Sequence, residues 1–313
     1  MDFDSIDEQL IHALRLDGRV GFSQLAGVLG VSDQTVARRY RRMRESGALR
    51  VVARPDPVRL GHDLWLLRLR CTPDAATAVA SALARRRDTS WITLSSGGTE
   101  ITCMCSGLDA DELLLQKLPR TPRVVSVVAH LLLKVFVGGP VDLFTRPDVL
   151  RPDQVAQLAK PGPDGPTARI EEADGPLLAA LAQDGRTGYP ELARATGWSE
   201  STVRRRLEQL RRSGAIFFDV EVGSTLLGYN ARVMLWLSVA PAHLAAVGEA
   251  LAHHREVVFA AATTGPSNLV ATVICRDASA LYDYLTHRIG PLPGVDRVET
   301  APHMRTVKQV GTV

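Results

Sequence analysis

The sequence predicts an α+β protein: a winged, three-helix helix-turn-helix domain followed by a βαββαβ sandwich, the pair occurring twice. Three observations lead there. First, the 313-residue chain matches itself at an offset of 167 residues, with no gap from Asp17 to Gly61. Asp17-Gly18-Arg19 falls on Asp184-Gly185-Arg186, Gly30 on Gly197, Ser32 on Ser199, Thr35-Val36 on Thr202-Val203, Ser46-Gly47-Ala48 on Ser213-Gly214-Ala215 and Leu60-Gly61 on Leu227-Gly228. Second, the opening part of each copy carries apolar residues at helical spacing. Third, the remainder alternates strand-like and helical stretches in one order, β-α-β-β-α-β.

In the first copy, Ile6, Leu10, Ala13 and Leu14 line a helix for which Asp4 is a suitable N-cap. A short second helix fits "SQLAGVLG" and stops at Gly30, and Ser32 caps a third whose Val36, Tyr40 and Met43 share a face up to Gly47. The second copy repeats the pattern with Leu177, Leu178 and Leu181, a helix started by Pro190, and then Val203, Leu207 and Leu210. After each trio, "DLWLLRLRC", "WITLSS", "EITCMC" and "VVSVVAHLLLKVFV" are strands with "PDAATAVASALARRR" and "DADELLLQKL" as helices. "RVMLWLSV", "VVFAAATTG", "NLVATVIC" and "VDRVETAPHMRTVKQV" are their counterparts, with "PAHLAAVGEALAHH" and "SALYDYLTHRI" as the helices. That order is a ferredoxin-like sandwich, whose bare sheet face needs a cover. The two copies, or two chains, would supply it for each other.

Between the copies lie six prolines from Pro140 to Pro166, which read as a linker with one short helix at 152–159. The expected organisation is one unit at 1–138 and a second at 168–313. Within it, the domains are helix-turn-helix 1–52, ferredoxin-like 53–138, linker 139–167, helix-turn-helix 168–219 and ferredoxin-like 220–313.

A 45% hydrophobic and 23% charged composition describes a globular protein with real cores, and a net charge of +3 neither requires nor excludes nucleic acid. The acidic "MDFDSIDEQL" lacks a secretory pattern, and no apolar run reaches the roughly 18 residues of a membrane span. A cytoplasmic, nucleoid-associated protein with no membrane partner is expected. Cys71, Cys103, Cys105 and Cys275 show no CxxC spacing, so neither a disulfide framework nor a zinc site is expected, and Cys103 and Cys105 belong on one core-facing sheet face.

Charge concentrates on the third helix of each trio. Residues 33–50 hold Arg38, Arg39, Arg41, Arg42, Arg44 and Arg50 against Asp33 and Glu45, a local charge of +4. Residues 200–216 hold Arg204, Arg205, Arg206, Arg211 and Arg212 against Glu200 and Glu208, a local charge of +3. Such a helix can be a merely solvated face. Its place in a helix-turn-helix, with short polar residues at its start, points instead to double-stranded DNA. Side chains near the start reach base edges in the major groove and later arginines reach phosphates. The DNA candidates are Ser32, Gln34, Thr35, Arg38, Arg39 and Arg42 in the first copy and Ser199, Ser201, Thr202, Arg204, Arg205 and Arg206 in the second. Because the reading residues differ between the copies, the expected operator is asymmetric, with half-sites about 10 bp or a multiple of that apart.

"FDSIDEQLIHALRLDGRVGFSQLAGVLGVSDQTVARRYRRMRESGAL" resembles the N-terminal signature of the Lrp/AsnC transcription factors, with Phe3, Asp4, Asp7, Asp17, Gly18, Arg19, Leu25, Ala26, Gly30, Ser32, Thr35, Val36, Arg38, Arg39 and Gly47 in place. The resemblance implies that the ferredoxin-like parts sense an amino acid or related metabolite and mediate assembly. It also implies that this chain is a prebuilt dimer, since members usually hold one unit and pair through that module. Tethering makes such pairing independent of protein concentration. A homo-oligomer, a dimer or tetramer of fused chains, is expected, with no cofactor and no metal. The family's effector loop corresponds here to Gly98-Thr99-Glu100-Ile101 and Gly265-Pro266-Ser267-Asn268. Gly98, Glu100, Gly265 and Asn268 are therefore the effector candidates, with Glu100 able to hold an amine and Asn268 offering neutral contacts. The altered loops leave open an architectural DNA-binding protein without an effector.

Siroheme decarboxylases resemble the same architecture and form the enzyme alternative. Their histidine-rich stretch has no counterpart in "WITLSSGGTEITCMC" or "VVFAAATTGPSNLVATVIC", which lack His and Arg. His253 and His254 are expected at a helix end, facing the dipole or solvent; His62, His130, His243, His287 and His303 are scattered. No catalytic residue is assigned and a non-enzyme is expected.

Overall fold

Both helical trios form where the apolar spacing places them, but like parts of the two copies assemble with each other. The structure, a computed structural model, describes residues 4–86, 88–107, 110–138, 149–223 and 228–308. Phe3, residues 139–148 of the expected linker, Leu227 and the last residues of the final expected strand lie outside the described residues. The first copy runs α1 (Ser5–Leu16), α2 (Phe22–Leu29), α3 (Asp33–Glu45), β1 (Leu49–Pro55), β2 (Leu64–Cys71), α4 (Ala76–Ala84), β3 (Thr89–Ser95), β4 (Glu100–Ser106), α5 (Ala110–Glu112, continued by a π turn at Leu113–Lys117) and β5 (Val124–Val137). After α6 (Pro152–Leu158) the second runs α7 (Gly175–Gln183), α8 (Tyr189–Thr196), α9 (Glu200–Arg212), β6 (Ile216–Val222), β7 (Ala231–Val239), α10 (Leu244–Ala252), β8 (Val257–Thr263), β9 (Leu269–Cys275), α11 (Ala278–Tyr284) and β10 (Val295–Lys308). The chain divides into a unit of Met1–Leu60 with Phe144–Leu227 and a unit of Gly61–Leu143 with Gly228–Val313. This corrects the expectation of one unit per copy: apolar surface left bare by each module is covered by its own kind.

In the helical unit, Asp4 accepts from the backbone of Ile6 and Asp7 while Asp7 accepts from Asp4, a reciprocal cap that starts α1. Gly30 and Gly197, at φ 69° and 73°, stop α2 and α8 in the left-handed region that favours glycine. Leu10, Leu14, Leu25, Val36 and Met43 are buried in one trio and Leu177, Leu181, Leu192, Val203 and Leu210 in the other. The trios are tied by β1 and β6, which pair antiparallel from Leu49↔Val222 to Pro55↔Ile216. These strands straddle the expected boundaries at 52/53 and 219/220. The linker helix forms as expected, and it is part of this unit: Leu150 and Leu158 are buried in the first trio's core, and the Gln154 amide donates to the Val28 carbonyl at 2.7 Å.

The repeated Asp-Gly-Arg is a cross-clamp. The Arg19 guanidinium donates to the carbonyls of Gly185 and Thr187, at 2.5 and 3.0 Å, and Arg186 returns the contact to Gly18 and Val20 at 2.7 and 2.8 Å. Asp17 and Asp184 accept from the backbone two residues on and so shape the loops. Only glycine fits between: a Cβ at Gly18 would lie 2.8 Å from the Phe218 Cβ, and one at Gly185 would lie 3.0 Å from the Val52 carbonyl carbon.

In the other unit the two sandwiches close into a single barrel, in the order β10-β3-β4-β2-β5-β8-β9-β7. Alternation explains it. Leu67, Leu69, Ile101, Cys103 and Cys105 face the helices of the first copy, while Leu66 and Met104 point the other way and meet Trp236, Ala261, Val270 and Ala301 of the second. The long strands bridge the copies: β5 pairs with β2 and with β8, and β10 with β7 and with β3. The bare sheet faces thus cover each other, as expected. All four cysteines are free and buried, and burial pushes the Cys103 thiol well up, which leaves it unreactive. Among the described residues no helix is long and apolar enough to cross a membrane, and no group of three or more His, Cys, Asp or Glu is placed to hold a metal.

Candidate nucleic-acid interface

Each third helix begins with the same device. The Ser32 hydroxyl accepts from the Thr35 backbone and the Ser199 hydroxyl from Thr202, both at 3.2 Å, so the exposed first turn of α3 and of α9 is fixed at its start. Burial of Val36, Tyr40 and Met43, and of Val203, Leu207 and Leu210, sets the rotation of each rod. Gln34 and Ser201 are then exposed, Thr35 and Thr202 half-buried, and Arg38 and Arg205 exposed at the same place in both copies. No carboxylate pairs with Arg38 or Arg205 among the described residues.

The arginine doublets divide. Arg39 turns inward to Asp7 at 2.9 Å, and the Asp7 side chain is fully buried. Arg206 does the same to Asp174, with Nη2 at 2.6 Å from a side chain only 1% exposed. Burial works against the Asp174 charge, but the Arg206 hydrogen bonds and ion pair outweigh it and hold the carboxyl below the usual carboxylate range. Arg42 also reaches Asp7, at 2.5 Å. For Arg39 and Arg206, 19% and 15% exposed, the expected DNA contact is therefore corrected: their guanidiniums bolt the recognition helix to the acid at the head of its trio, while Arg42, 42% exposed, pairs with Asp7 and stays at the surface. The spacing that puts one arginine of a doublet outward turns its neighbour about 100° away, as a period of about 3.6 residues requires. The signal was present in the sequence, since Asp7 and Asp174 sit at the repeat offset, but a one-dimensional charge count cannot assign a partner.

The effector candidates also change. Glu100 is 3% exposed and accepts from Arg68 at 2.7 and 3.0 Å; Arg68 in turn pairs with Glu299 of the second copy. Desolvation opposes the Arg68 charge, and Glu299 and Glu100 overcome it. Glu100 Oε2 is thus committed to a protein cation, while its Oε1 is buried without a hydrogen-bond partner among the described residues. The Asn268 amide is used as well: Oδ1 accepts from Val239 N at 2.9 Å and Nδ2 donates to Val239 O at 2.7 Å, pinning the end of β7. Gly98 has a left-handed φ of 83° in the β3–β4 turn. Gly265 is tight against His130, where a Cβ would lie 2.8 Å from Nδ1.

What the loop does create is a cavity of ≈ 100 Å³, which Pro266 and Ser267 line together with Arg68, His130, Trp236 and Arg297. The strand pairs themselves lack His and Arg, but the barrel brings both to them from β2, β5 and β10, which linear reading of the loop sequences missed. The His130 Nδ1 lies 2.7 Å from the Thr264 carbonyl, the ring is 2% exposed, and burial lowers its pKa, so the imidazole is neutral and Nδ1 donates. Arg68 lies 4.7 Å above the Trp236 ring. The Trp236 Nε1 has no hydrogen-bond partner among the described residues. His254, expected to face solvent or the helix dipole, is 9% exposed, with Nδ1 3.0 Å from the Tyr284 hydroxyl; His253 does meet a helix-end carbonyl, that of Glu249, at 2.7 Å.

Two capped, arginine-bearing helices carried on one body define a helix-turn-helix transcriptional regulator. Comparison with known proteins agrees. Residues 3–44 and 171–211 match the AsnC-type helix-turn-helix domain, and 232–313 match the Lrp/AsnC ligand binding domain. The chain belongs to the Lrp/AsnC family. HTH-type transcriptional regulator LrpA of Pyrococcus horikoshii is 30% identical over 130 residues, 41% of this chain and 92% of the relative. HTH-type transcriptional regulator FL11 of the same organism is 29% identical over 141 residues, 45% and 93% respectively. The siroheme decarboxylase NirDL shares the fold across 97% of this chain and 93% of its own, with a TM-score of 0.65 and 15% identity, a likeness of fold alone.

Proposed function

We propose that this transcriptional regulator reads an asymmetric operator with α3 and α9, and that a small metabolite in the cavity beside the 265–268 loop modulates it. The observation that carries the DNA reading is that Arg38 and Arg205 remain exposed and uncommitted after every equivalent buried pair has formed. Ser32, Gln34, Thr35, Ser199, Ser201 and Thr202 form the base-facing ends, and Arg38, Arg204 and Arg205 the cationic surface. If six to ten phosphates are neutralised, duplex affinity is expected to fall by about three to five decades between about 50 and 200 mM salt. Anisotropy titration of a labelled duplex checks this, and a flat salt response would refute the reading.

For the effector, a space of ≈ 100 Å³ holds about three waters, the scale of a small metabolite. Arg297, exposed and without a carboxylate partner among the described residues, and the unpartnered Trp236 N–H favour a ligand with an acceptor group. Screening a metabolite panel by thermal shift should give saturable stabilisation, about 2.7 kcal/mol at 100 times Kd, that Arg297→Ala abolishes. No stabilisation by any compound would support the effector-independent, architectural reading. Leu115, in the π turn that continues α5, and Tyr282, on α11, are 75% and 66% exposed and favour further assembly of fused chains.

A further inference from the structure

The two recognition helices share their cap, their buried stripe and their Asp–Arg bolt, so their backbones are held alike and differences in reading come from the outward positions. One such position stands apart. Ala37 in α3 corresponds to Arg204 in α9, and Arg204 is exposed with no carboxylate partner among the described residues. Its guanidinium carbon lies 4.7 Å from the centroid of the Tyr189 ring, at the start of α8. In the first copy the matching ring, Phe22, is already used: it packs on Tyr40 with centroids 5.4 Å apart, and Arg186 of the cross-clamp lies 4.8 Å from it. In the second copy Leu207 replaces Tyr40, which leaves a face of Tyr189 available, while Arg19 of the clamp lies 5.3 Å from the same ring. Three positions have therefore changed together: 37/204, 40/207 and 22/189.

An aromatic stack holds the planar guanidinium flat and limits its rotamers before any ligand arrives. A guanidinium so held, five residues into a groove-facing helix, matches the paired O6 and N7 acceptors of guanine. Alanine can offer a methyl contact to thymine but no hydrogen bond. We propose that Arg204 reads a guanine in the half-site bound by α9, that Tyr189 is its positioning residue, and that α3 meets a thymine at the equivalent base pair through Ala37. The inference rests on the DNA reading above and adds base identity to it.

Selection of bound duplexes from a randomised pool by the full chain tests it, in parallel with Arg204→Ala, Arg204→Lys, Tyr189→Phe and Tyr189→Ala. The intact chain is expected to return two unlike half-sites, one with a guanine favoured about 5- to 150-fold over other bases. Arg204→Lys keeps the charge and loses the fork, so it should retain most of the duplex affinity and lose that preference; Arg204→Ala should lose both in part. Tyr189→Phe should keep the preference and Tyr189→Ala weaken it, a change in base frequency that a general loss of stability does not produce. Unaltered guanine preference in Arg204→Ala and Arg204→Lys overturns this inference alone; identical half-sites for the intact chain overturn it together with the asymmetry of the operator. Failure to retain any duplex at low salt overturns the DNA reading with it.

Discussion

Asp174→Ala is expected to lower the stability of the helical unit by about 1.5–3 kcal/mol at neutral pH, because it removes the buried carboxylate that holds the Arg206 guanidinium, 15% exposed, and leaves it Glu171, Gln209 and the Arg169 carbonyl. Urea denaturation followed by circular dichroism measures the loss. The pH dependence has a definite sign. The Asp174 carboxyl titrates lower in the folded state than the ordinary value of about 3.9. Its contribution is therefore complete above that value and disappears as pH falls through the lower, folded one. The difference between the native chain and Asp174→Ala should be full at pH 7 and shrink in strong acid. Equal stabilities at pH 7 would show that the bolt contributes nothing. Because β1 and β6 knit the trios together, the variant should lose both recognition helices in one transition.

Combined removal of Arg38 and Arg205 is expected to weaken operator binding by about 2–6 kcal/mol, each guanidinium contributing about 1–3 if it meets a base edge. If either meets a phosphate instead, the loss should be uniform across sequences and the salt slope should fall by about one for that residue. Neither change should alter the melting temperature much, since both side chains are exposed and pair with no carboxylate among the described residues. Arg39→Ala is the contrast: it should reduce stability first and binding only through it. Anisotropy titrations at several salt concentrations, with thermal melts of each variant, separate the two behaviours. Full operator affinity in the double variant would remove the helices from the interface.

Much of this was legible in one dimension. The repeat located both trios, because caps, glycine stops and apolar spacing are local properties. The strand order was legible for the same reason, and the need of each sheet for a cover followed from the bare faces that period-two alternation leaves. What was missed involves partners distant in sequence. Asp-Gly-Arg looked like a marker of duplication, and is a clamp in which each copy's arginine seeks the other's carbonyls. Arg39 and Arg206 looked like part of the DNA surface, yet a buried carboxylate 32 residues earlier claims each. Glu100 reads as a free ligand group, yet Arg68, itself paired with Glu299, claims one of its oxygens.

The amino-acid sequence by itself determined the elements, the duplication and the basic third helices, since these depend on neighbours within a turn or a strand. Only the tertiary structure decided which arginines are free, which acids are spent, and that like modules of the two copies join in one body. Charge and hydrogen-bonding capacity are properties of a residue, but whether they are still available depends on what burial has placed beside them.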